Sequence, residues 1–269
     1  MPPIRKGDGT PVEPKGVSQI RTGDGRILFD GPAIPDAAVL RYPFIEGSGT
    51  TVTETIEGQD GTISGAGWVS NNWQEGWALD GDGTDDYVDL TSGDYVDYGS
   101  KFALDGGLAF TIETTDDEAD PFGWRPESPS PGDQAFYCTV GRFSSISNGQ
   151  FGFLIEDQDG VKQIIDSGTT VNDGQKYRIF MWSDGVSASD KYVFINAADK
   201  TSIVDDDGNQ DEDSFGNWGT SAPILATSDV SDSRRDHIDA TVDDVIYYLD
   251  RQQSVTDLAQ EDYDLQPWS

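Results

Sequence analysis

The chain has 269 residues, with 17 Lys+Arg against 50 Asp+Glu, one His, one Cys and a formal charge of −33. So acidic a surface repels phosphate backbones, which argues against a nucleic-acid partner. No run of roughly 18 apolar residues is present to insert into a membrane as a helix, and a lone Cys138 makes neither an internal disulfide nor a zinc set.

Met1-Pro2-Pro3-Ile4-Arg5-Lys6 has basic residues but no apolar stretch after them, which predicts no secretory signal. Residues 1–41 hold six basic and five acidic groups, a sum of +1, so the other 228 residues carry −34. Within this near-neutral segment, Ile4-Arg5-Lys6-Gly7-Asp8-Gly9 recurs sixteen residues later as Ile20-Arg21-Thr22-Gly23-Asp24-Gly25. Each Gly-Asp-Gly is a tight-turn signal, because Gly reaches positive φ freely and Asp bonds its own backbone. Two small hairpins are expected, the second closing with Ile27-Leu28-Phe29. Residues 1–36 are too few to bury a core and so read as an anchoring arm that needs a partner surface.

From residue 37 to residue 269 the sequence reads as one domain of short strands separated by Gly, Asn, Asp and Ser turns. Predicted strands are Ala38–Tyr42, Trp77–Leu79, Tyr87–Leu90, Leu108–Glu113, Ala135–Val140, Phe151–Glu156, Lys162–Asp166, Lys176–Trp182, Tyr192–Asn196 and Thr241–Leu249. Dense turns and scarce helical periodicity predict an all-β sandwich. One helix is expected near the end: Ser254 is an N-cap, with Asp257 three residues on and apolar Val255, Leu258 and Ala259 following. The 12 Phe, 10 Tyr and 7 Trp supply the core, so the acids coat a folded domain. Asp outnumbers Glu, and 7 of the 17 basic residues are Lys. That balance looks like adaptation to concentrated brine, where self-repulsion is screened within a few ångströms.

The order of the motifs carries a resemblance. Leu40-Arg41-Tyr42-Pro43-Phe44-Ile45-Glu46-Gly47-Ser48-Gly49-Thr50 is followed by Gln59-Asp60-Gly61-Thr62-Ile63, Trp77-Ala78-Leu79-Asp80-Gly81 and Asp85-Asp86-Tyr87-Val88-Asp89-Leu90, and the chain closes with Ile238-Asp239-Ala240-Thr241-Val242-Asp243-Asp244-Val245-Ile246-Tyr247-Tyr248. Residues 38–263 thus resemble the laminin-G-like branch of the concanavalin A-like jelly rolls. Gln175-Lys176-Tyr177-Arg178-Ile179-Phe180 stands where that family has a W-x-H-V-A segment. The first 30 residues resemble the N-termini of virion structural proteins of haloarchaeal tailed viruses.

Many laminin-G-like domains hold one calcium ion, and hard cations need several oxygen ligands. The resemblance points to Glu46 on the opening strand and Asp243 on the closing one as a structural calcium pair. The turns Asp80–Asp86 and Asp205–Asp211 are further acidic candidates, although Gln210 occupies the position where an EF-hand loop has Gly. No Glu-x-Asp-x-x-Glu run and no Gly-x-Ser-x-Gly elbow is present, so no catalytic residue is assigned and no enzyme activity is expected. His237 sits in a turn, and Cys138 reads as a small buried hydrophobe. Lectins of this shape stack aromatics on sugar faces. Trp68, Trp73, Trp124 and Trp218 occupy turn-like settings, with Trp124 and Trp218 the expected ligand contacts at the loop rim, while Trp77 and Trp182 read as core.

The function expected from these features is a structural protein of a haloarchaeal virus particle, a fibre, turret or spike on head or tail. Its lectin-like domain would attach to host cell-surface glycans or glycoproteins. Residues 1–36 would join copies into a homo-oligomer and bind other virion proteins, with no nucleic acid, no membrane insertion and possible structural Ca2+ as the one cofactor. The expected location is the virion surface, reached without a signal peptide. The alternatives are a glycan-degrading jelly-roll enzyme and a host surface adhesin.

Overall fold

The computed structural model describes residues 19–21, 27–30, 34–71, 76–90, 104–117, 119–124, 135–141, 144–211, 223–224, 226–228, 234–235 and 237–266. Its strands in chain order are β1 (Gln19–Arg21), β2 (Ile27–Asp30), β3 (Ala38–Tyr42), β4 (Thr51–Val52), β5 (Gly61–Ser64), β6 (Gly67–Asn71), β7 (Gly76–Asp82), β8 (Tyr87–Asp89), β9 (Gly106–Thr114), β10 (Ala119–Trp124) and β11 (Ala135–Val140). They continue as β12 (Gln150–Glu156), β13 (Lys162–Thr170), β14 (Lys176–Ser183), β15 (Lys191–Ile195), β16 (Ala198–Asp199), β17 (Ser202–Asp206), β18 (Pro223–Ile224), β19 (Ala226–Ser228), β20 (Arg234–Arg235) and β21 (Asp239–Leu249), followed by helix α1 (Val255–Asp264).

Two large sheets form the sandwich. One runs β17-β13-β12-β11-β10-β19-β20, and the other runs β16-β15-β14-β9-β21-β7-β6 with β3 also paired to β21. A smaller sheet, β18-β8-β5-β4, adjoins them, and β1 pairs only with β2. This is the all-β sandwich that the strand and turn pattern predicts, with the jelly-roll character that the resemblance implies. No helix among the described residues is long and apolar enough to cross a membrane.

Period-2 alternation explains the layers. Phe151, Phe153 and Ile155 of β12 face Ile179 and Met181 of β14 and Phe110 of β9 across the main core. The alternate residues Phe180, Trp182, Ile246 and Tyr248 point to the opposite face of the eight-stranded sheet, where α1 covers them with Val255, Leu258 and Ala259. Trp182 is thus buried as expected, but under the helix and not between the sheets. On β21 the core positions jump from Ala240 and Val242 to Val245 and Tyr247, a change of phase that demands an inserted residue. The bulge lies between Asp243 and Ile246, with Asp244 at φ 44°.

Alpha helix α1 begins as its sequence predicts, the Ser254 side chain accepting the Asp257 N–H at 3.1 Å. A buried polar network locks its far end. The Arg178 guanidinium donates to both oxygens of Asp262, at 2.7 and 2.5 Å, and to the Asp244 carbonyl at 2.6 Å. Asp244 in turn accepts from Arg41 at 2.6 Å and from Gln266 at 2.8 Å, while Tyr248 donates to Asp262 at 2.6 Å. Burial opposes the charge on Arg178, but Asp262 and Asp244 outweigh it and hold its pKa above the usual value. Burial likewise opposes ionisation of Asp244, and Arg41 and Arg178 overcome it and keep the carboxylate below its usual range.

The second Gly-Asp-Gly of the N-terminal segment lies outside the described residues, but the strands on either side pair antiparallel, Ile20 opposite Phe29 and Arg21 opposite Ile27. The first repeat also lies outside them. Ile34, within the span read as the arm, is buried in the apolar layer under α1.

Candidate functional site

Four large apolar side chains are exposed among the described residues: Ile45, which lies two residues before the Gly47 that touches Trp77, then Trp77 itself, Ile203 and Val204. Ile45 sits where the opening strand leaves the sandwich. Beyond Tyr42 the chain turns sharply, with Phe44 at φ 47°, Gly47 at 68° and Gly49 at 89°. Phe44 drops into the core, which leaves Ile45 outside, 41% exposed.

Two indoles then clasp the turn. Trp68 on β6 donates its Nε1–H to the Gly49 carbonyl at 2.8 Å. Gly47 lies directly on the ring of Trp77, where a Cβ would come within 2.2 Å of Cε2 and Nε1. Only a glycine supports both this approach and the left-handed backbone. Trp77, opposite Ser70 at the start of β7, is 38% exposed, so the reading of it as a core residue is corrected. The interior it was expected to reach is filled by Leu79, and its own ring serves as a wall for the turn.

Glu46 stands between Ile45 and Gly47. Its Oε1 accepts the Thr53 N–H at 2.8 Å, while its Oε2 is buried without a hydrogen-bond partner. An apolar surface held rigid by backbone contact suits a ligand with one apolar face.

The other expected site residues are distributed as follows. Trp124 ends β10 opposite Phe136, so its backbone is strand and not loop. Trp218 and Trp73 lie outside the described residues. Asp243 is buried on β21, its Oδ1 accepting the Asp244 N–H at 2.7 Å. Burial first, then the neighbouring Asp244 charge, push its pKa up to about 8. Glu46 and Asp243 therefore each have a local partner, and calcium between them is a proposal taken up below.

The Asp80–Asp86 turn gathers carboxylates more closely: ligand atoms of Asp82, Asp85 and Asp86 lie within 4.8 Å of one another. Asp86 also accepts the Asp82 N–H at 2.7 Å, and burial raises its pKa. In the Asp205–Asp211 segment, Gln210 is a structural anchor, its amide donating to the carbonyls of Ile155 at 3.0 Å and Val161 at 3.2 Å. His237 uses Nδ1 against the Asp86 carbonyl at 2.8 Å, and burial holds the Cys138 thiol well above its ordinary pKa.

Sequence reasoning missed the Trp77 platform and the role of Gly47, although the Glu-Gly-Ser-Gly turn was in view. It also missed Glu54, a buried carboxylate that accepts the backbone N–H groups of Arg41 at 2.8 Å and Ile56 at 2.7 Å, and those of Glu57, Gly58 and Gln59. Glu54 fixes the loop that follows β4 and so supports the turn carrying Glu46.

No family model matches the chain, and no curated protein matches it. Solved structures do. A sialidase of Trypanosoma rangeli in complex with sialic acid is similar at TM-score 0.56 and 12% identity, over 92% of this chain and 35% of that one. The botulinum neurotoxin serotype D ligand-binding domain in complex with N-acetylneuraminic acid is similar at TM-score 0.55 and 10% identity, over 85% of this chain and 51% of that one. A structure described as a receptor binding domain is similar at TM-score 0.56 and 9% identity, over 86% and 52%. The chain spans about a third of the sialidase and half of the toxin domains. At these identities the likeness establishes the β-sandwich fold.

Proposed function

We propose that this domain binds carbohydrate, and that Trp77 with Ile45 forms the surface on which a sugar stacks. The observation that carries this reading is the exposed indole of Trp77 held against Gly47, a flat platform fixed before any ligand arrives. The fold likeness to structures holding sialic acid and N-acetylneuraminic acid supports the same class of ligand.

In this proposal the domain is an attachment module displayed on a haloarchaeal virus particle. The acid-coated sandwich and the near-neutral arm with its β1–β2 hairpin support that reading. The proposed activity is binding and not bond cleavage.

The test is a glycan array probed in molar KCl with the full chain and with Trp77→Ala. Binding of glycans that falls about tenfold in the variant supports the site; about 1.4 kcal/mol corresponds to that ratio. Equal binding by both proteins removes the site from Trp77. Release of reducing sugar from the bound glycans would replace attachment by hydrolysis.

A further inference from the structure

Among the described residues, two buried glutamines in one corner of the sandwich have oxygens that no group donates to. Gln163 on β13 and Gln210 beyond β17 are 1% and 4% exposed, and the Oε1 atom of each is buried without a hydrogen-bond partner. Their amide nitrogens are the reverse case. Gln163 Nε2 donates to the carbonyls of Val186 and Gly208, both at 2.8 Å. Gln210 Nε2 donates to those of Ile155 at 3.0 Å and Val161 at 3.2 Å. A side-chain amide has two N–H donors, so both are engaged in each residue. Exchanging nitrogen and oxygen would set each Oε1 against two carbonyl oxygens, which fixes both orientations.

Shared partners bring the two heads together. The Val186 carbonyl accepts from Gln163 Nε2 and, at 3.0 Å, from the Gln210 backbone N–H. Ile155, whose carbonyl holds Gln210, is the strand partner of Gln163. Asp157 adjoins them, since its backbone N–H and the Gln210 amide both reach the Val161 carbonyl. The buried Asp157 carboxylate accepts from Asp159 at 3.0 Å and Val161 at 2.9 Å on Oδ1, and from Asp211 at 3.0 Å on Oδ2. A carboxylate offers about four acceptor positions, which leaves Oδ2 room for a further partner.

Charge and donor chemistry select the ligand. Buried oxygens short of donors take a cation or a water, and the Asp205–Asp211 segment brings four aspartates to this corner. Two lysines border it, but Lys162 Nζ is 3.2 Å from Asp205, Lys191 Nζ donates to the Gly185 carbonyl, and neither serves the two amide oxygens. The negative field favours a cation over water. A calcium ion takes six to eight oxygens with carboxylates prominent among them. Two neutral amide oxygens and one carboxylate already shared by three N–H groups carry too little charge to replace the hydration of a divalent ion. Neutral carbonyl oxygens are instead the ligands that replace the water shell of an alkali cation.

We propose that Gln163 Oε1 and Gln210 Oε1, with Asp157 beside them, hold one K+ or Na+ ion. The β12–β13 turn and the segment after β17 belong to the seven-stranded sheet, and Val186 lies on the connection between β14 and β15 of the eight-stranded one. The ion thus ties the two sheets together at this corner. Its site is separate from the Trp77 surface and from the calcium candidates.

The experiment is thermal unfolding of the full chain in KCl, NaCl and choline chloride at equal ionic strength, choline being too large to sit among buried oxygens. The midpoint is expected several degrees higher in K+ or Na+ than in choline, rising to saturation with ion concentration. The larger increment identifies the ion. Gln163→Leu and Gln210→Leu lower the midpoint in every salt, because each gives up two hydrogen bonds, and each is expected to lose the ion-specific increment as well. Asp82→Asn with Asp85→Asn is expected to keep it. An increment that both glutamine variants retain, or that only the aspartate variant loses, overturns the proposal. Equal midpoints in all three salts also overturn it and assign the two oxygens to water. Crystals of the native chain grown in RbCl give a readout independent of the variants. An anomalous Rb+ peak within bonding distance of both Oε1 atoms is expected, and a water in its place overturns the proposal.

Discussion

Gly47 and Trp77 are in direct contact, the glycine backbone resting on an indole that a Cβ would approach to 2.2 Å. The contact joins a turn of the opening strand to the start of β7, thirty residues later in the chain. It makes the aromatic surface rigid, so the cost of ordering it is met on folding and not on ligand binding.

Replacement of Gly47 by Ala tests this arrangement. A methyl group must displace the ring, and the φ of 68° is itself unfavourable for alanine. We expect Gly47→Ala to destabilise the domain by about 2 kcal/mol and to weaken glycan binding as much as Trp77→Ala does. Urea denaturation gives the first quantity and a glycan titration the second. Full binding with lowered stability would show that the platform tolerates movement of Trp77.

Asp262 anchors α1 through Arg178 and Tyr248 in a buried setting. Removal of one partner from a buried ion pair leaves a charge without compensation, at a cost of about 3–5 kcal/mol. Asp262→Ala is therefore expected to approach that loss and to free the helix, measurable as earlier hydrogen exchange in Leu258 and Ala259. The double variant Asp262→Leu with Arg178→Met removes both charges and is expected to recover most of the stability. A single variant with native-like stability would mean that Asp244 alone satisfies Arg178.

Asp243 and Asp244 are adjacent carboxyls shifted in opposite directions. Asp243 has a folded-state pKa of about 8 against an unfolded value near 3.8, so the folded protein holds more protons between these limits. Stability from this group is therefore present below pH 4 and is lost as pH rises through 8. For Asp244, with a depressed folded pKa, stability is lost as pH falls below the ordinary carboxylate range. Asp243→Asn removes the first effect and is expected to raise the melting temperature at pH 9 well above its effect at pH 5. A shift equal at both values would show that Asp243 ionises normally.

The same variant tests calcium. A cation held by Glu46 and Asp243 would favour the carboxylate form and oppose the effect of burial on Asp243. Calorimetric titration with CaCl2 in molar KCl, at pH 7, is expected to give binding that Glu46→Gln and Asp243→Asn each abolish. Binding abolished instead by Asp82→Asn with Asp85→Asn transfers the ion to the turn where three carboxylates converge. No heat of binding removes calcium from the account.

The sandwich was legible because its signals are local. Ala38–Tyr42 and Ala135–Val140 match β3 and β11 at both ends, and Ser254 with Asp257 marked the start of α1. The site was not legible, because its decisive contacts are distant. Trp77-Ala78-Leu79 reads as a core run, and nothing local states that the end of β7 lies at the rim with Gly47 as its cover. Glu54 is hidden for another reason: among 50 acids, no feature of its neighbours distinguishes the one that collects a loop of amides. The bulge at Asp244 was readable in principle, since Val242 and Val245 cannot face one core without an inserted residue.

Glu54 supplies the last prediction. Its two oxygens accept from five backbone N–H groups, those of Arg41, Ile56, Glu57, Gly58 and Gln59, in a buried position. Replacement by Ala leaves those donors without an acceptor, and each unmet buried donor costs roughly 1–3 kcal/mol where water does not reach it. Part of the loop is accessible, so we expect about 3 kcal/mol in total for Glu54→Ala and a smaller loss for Glu54→Gln, which keeps one acceptor oxygen. The loop adjoins Thr53, the partner of Glu46, so both variants are also expected to weaken glycan binding without touching Trp77. Guanidinium unfolding and a glycan titration on the same samples separate the two effects. Lost stability with unchanged affinity would mean that the platform is held by Trp68 and Trp77 alone.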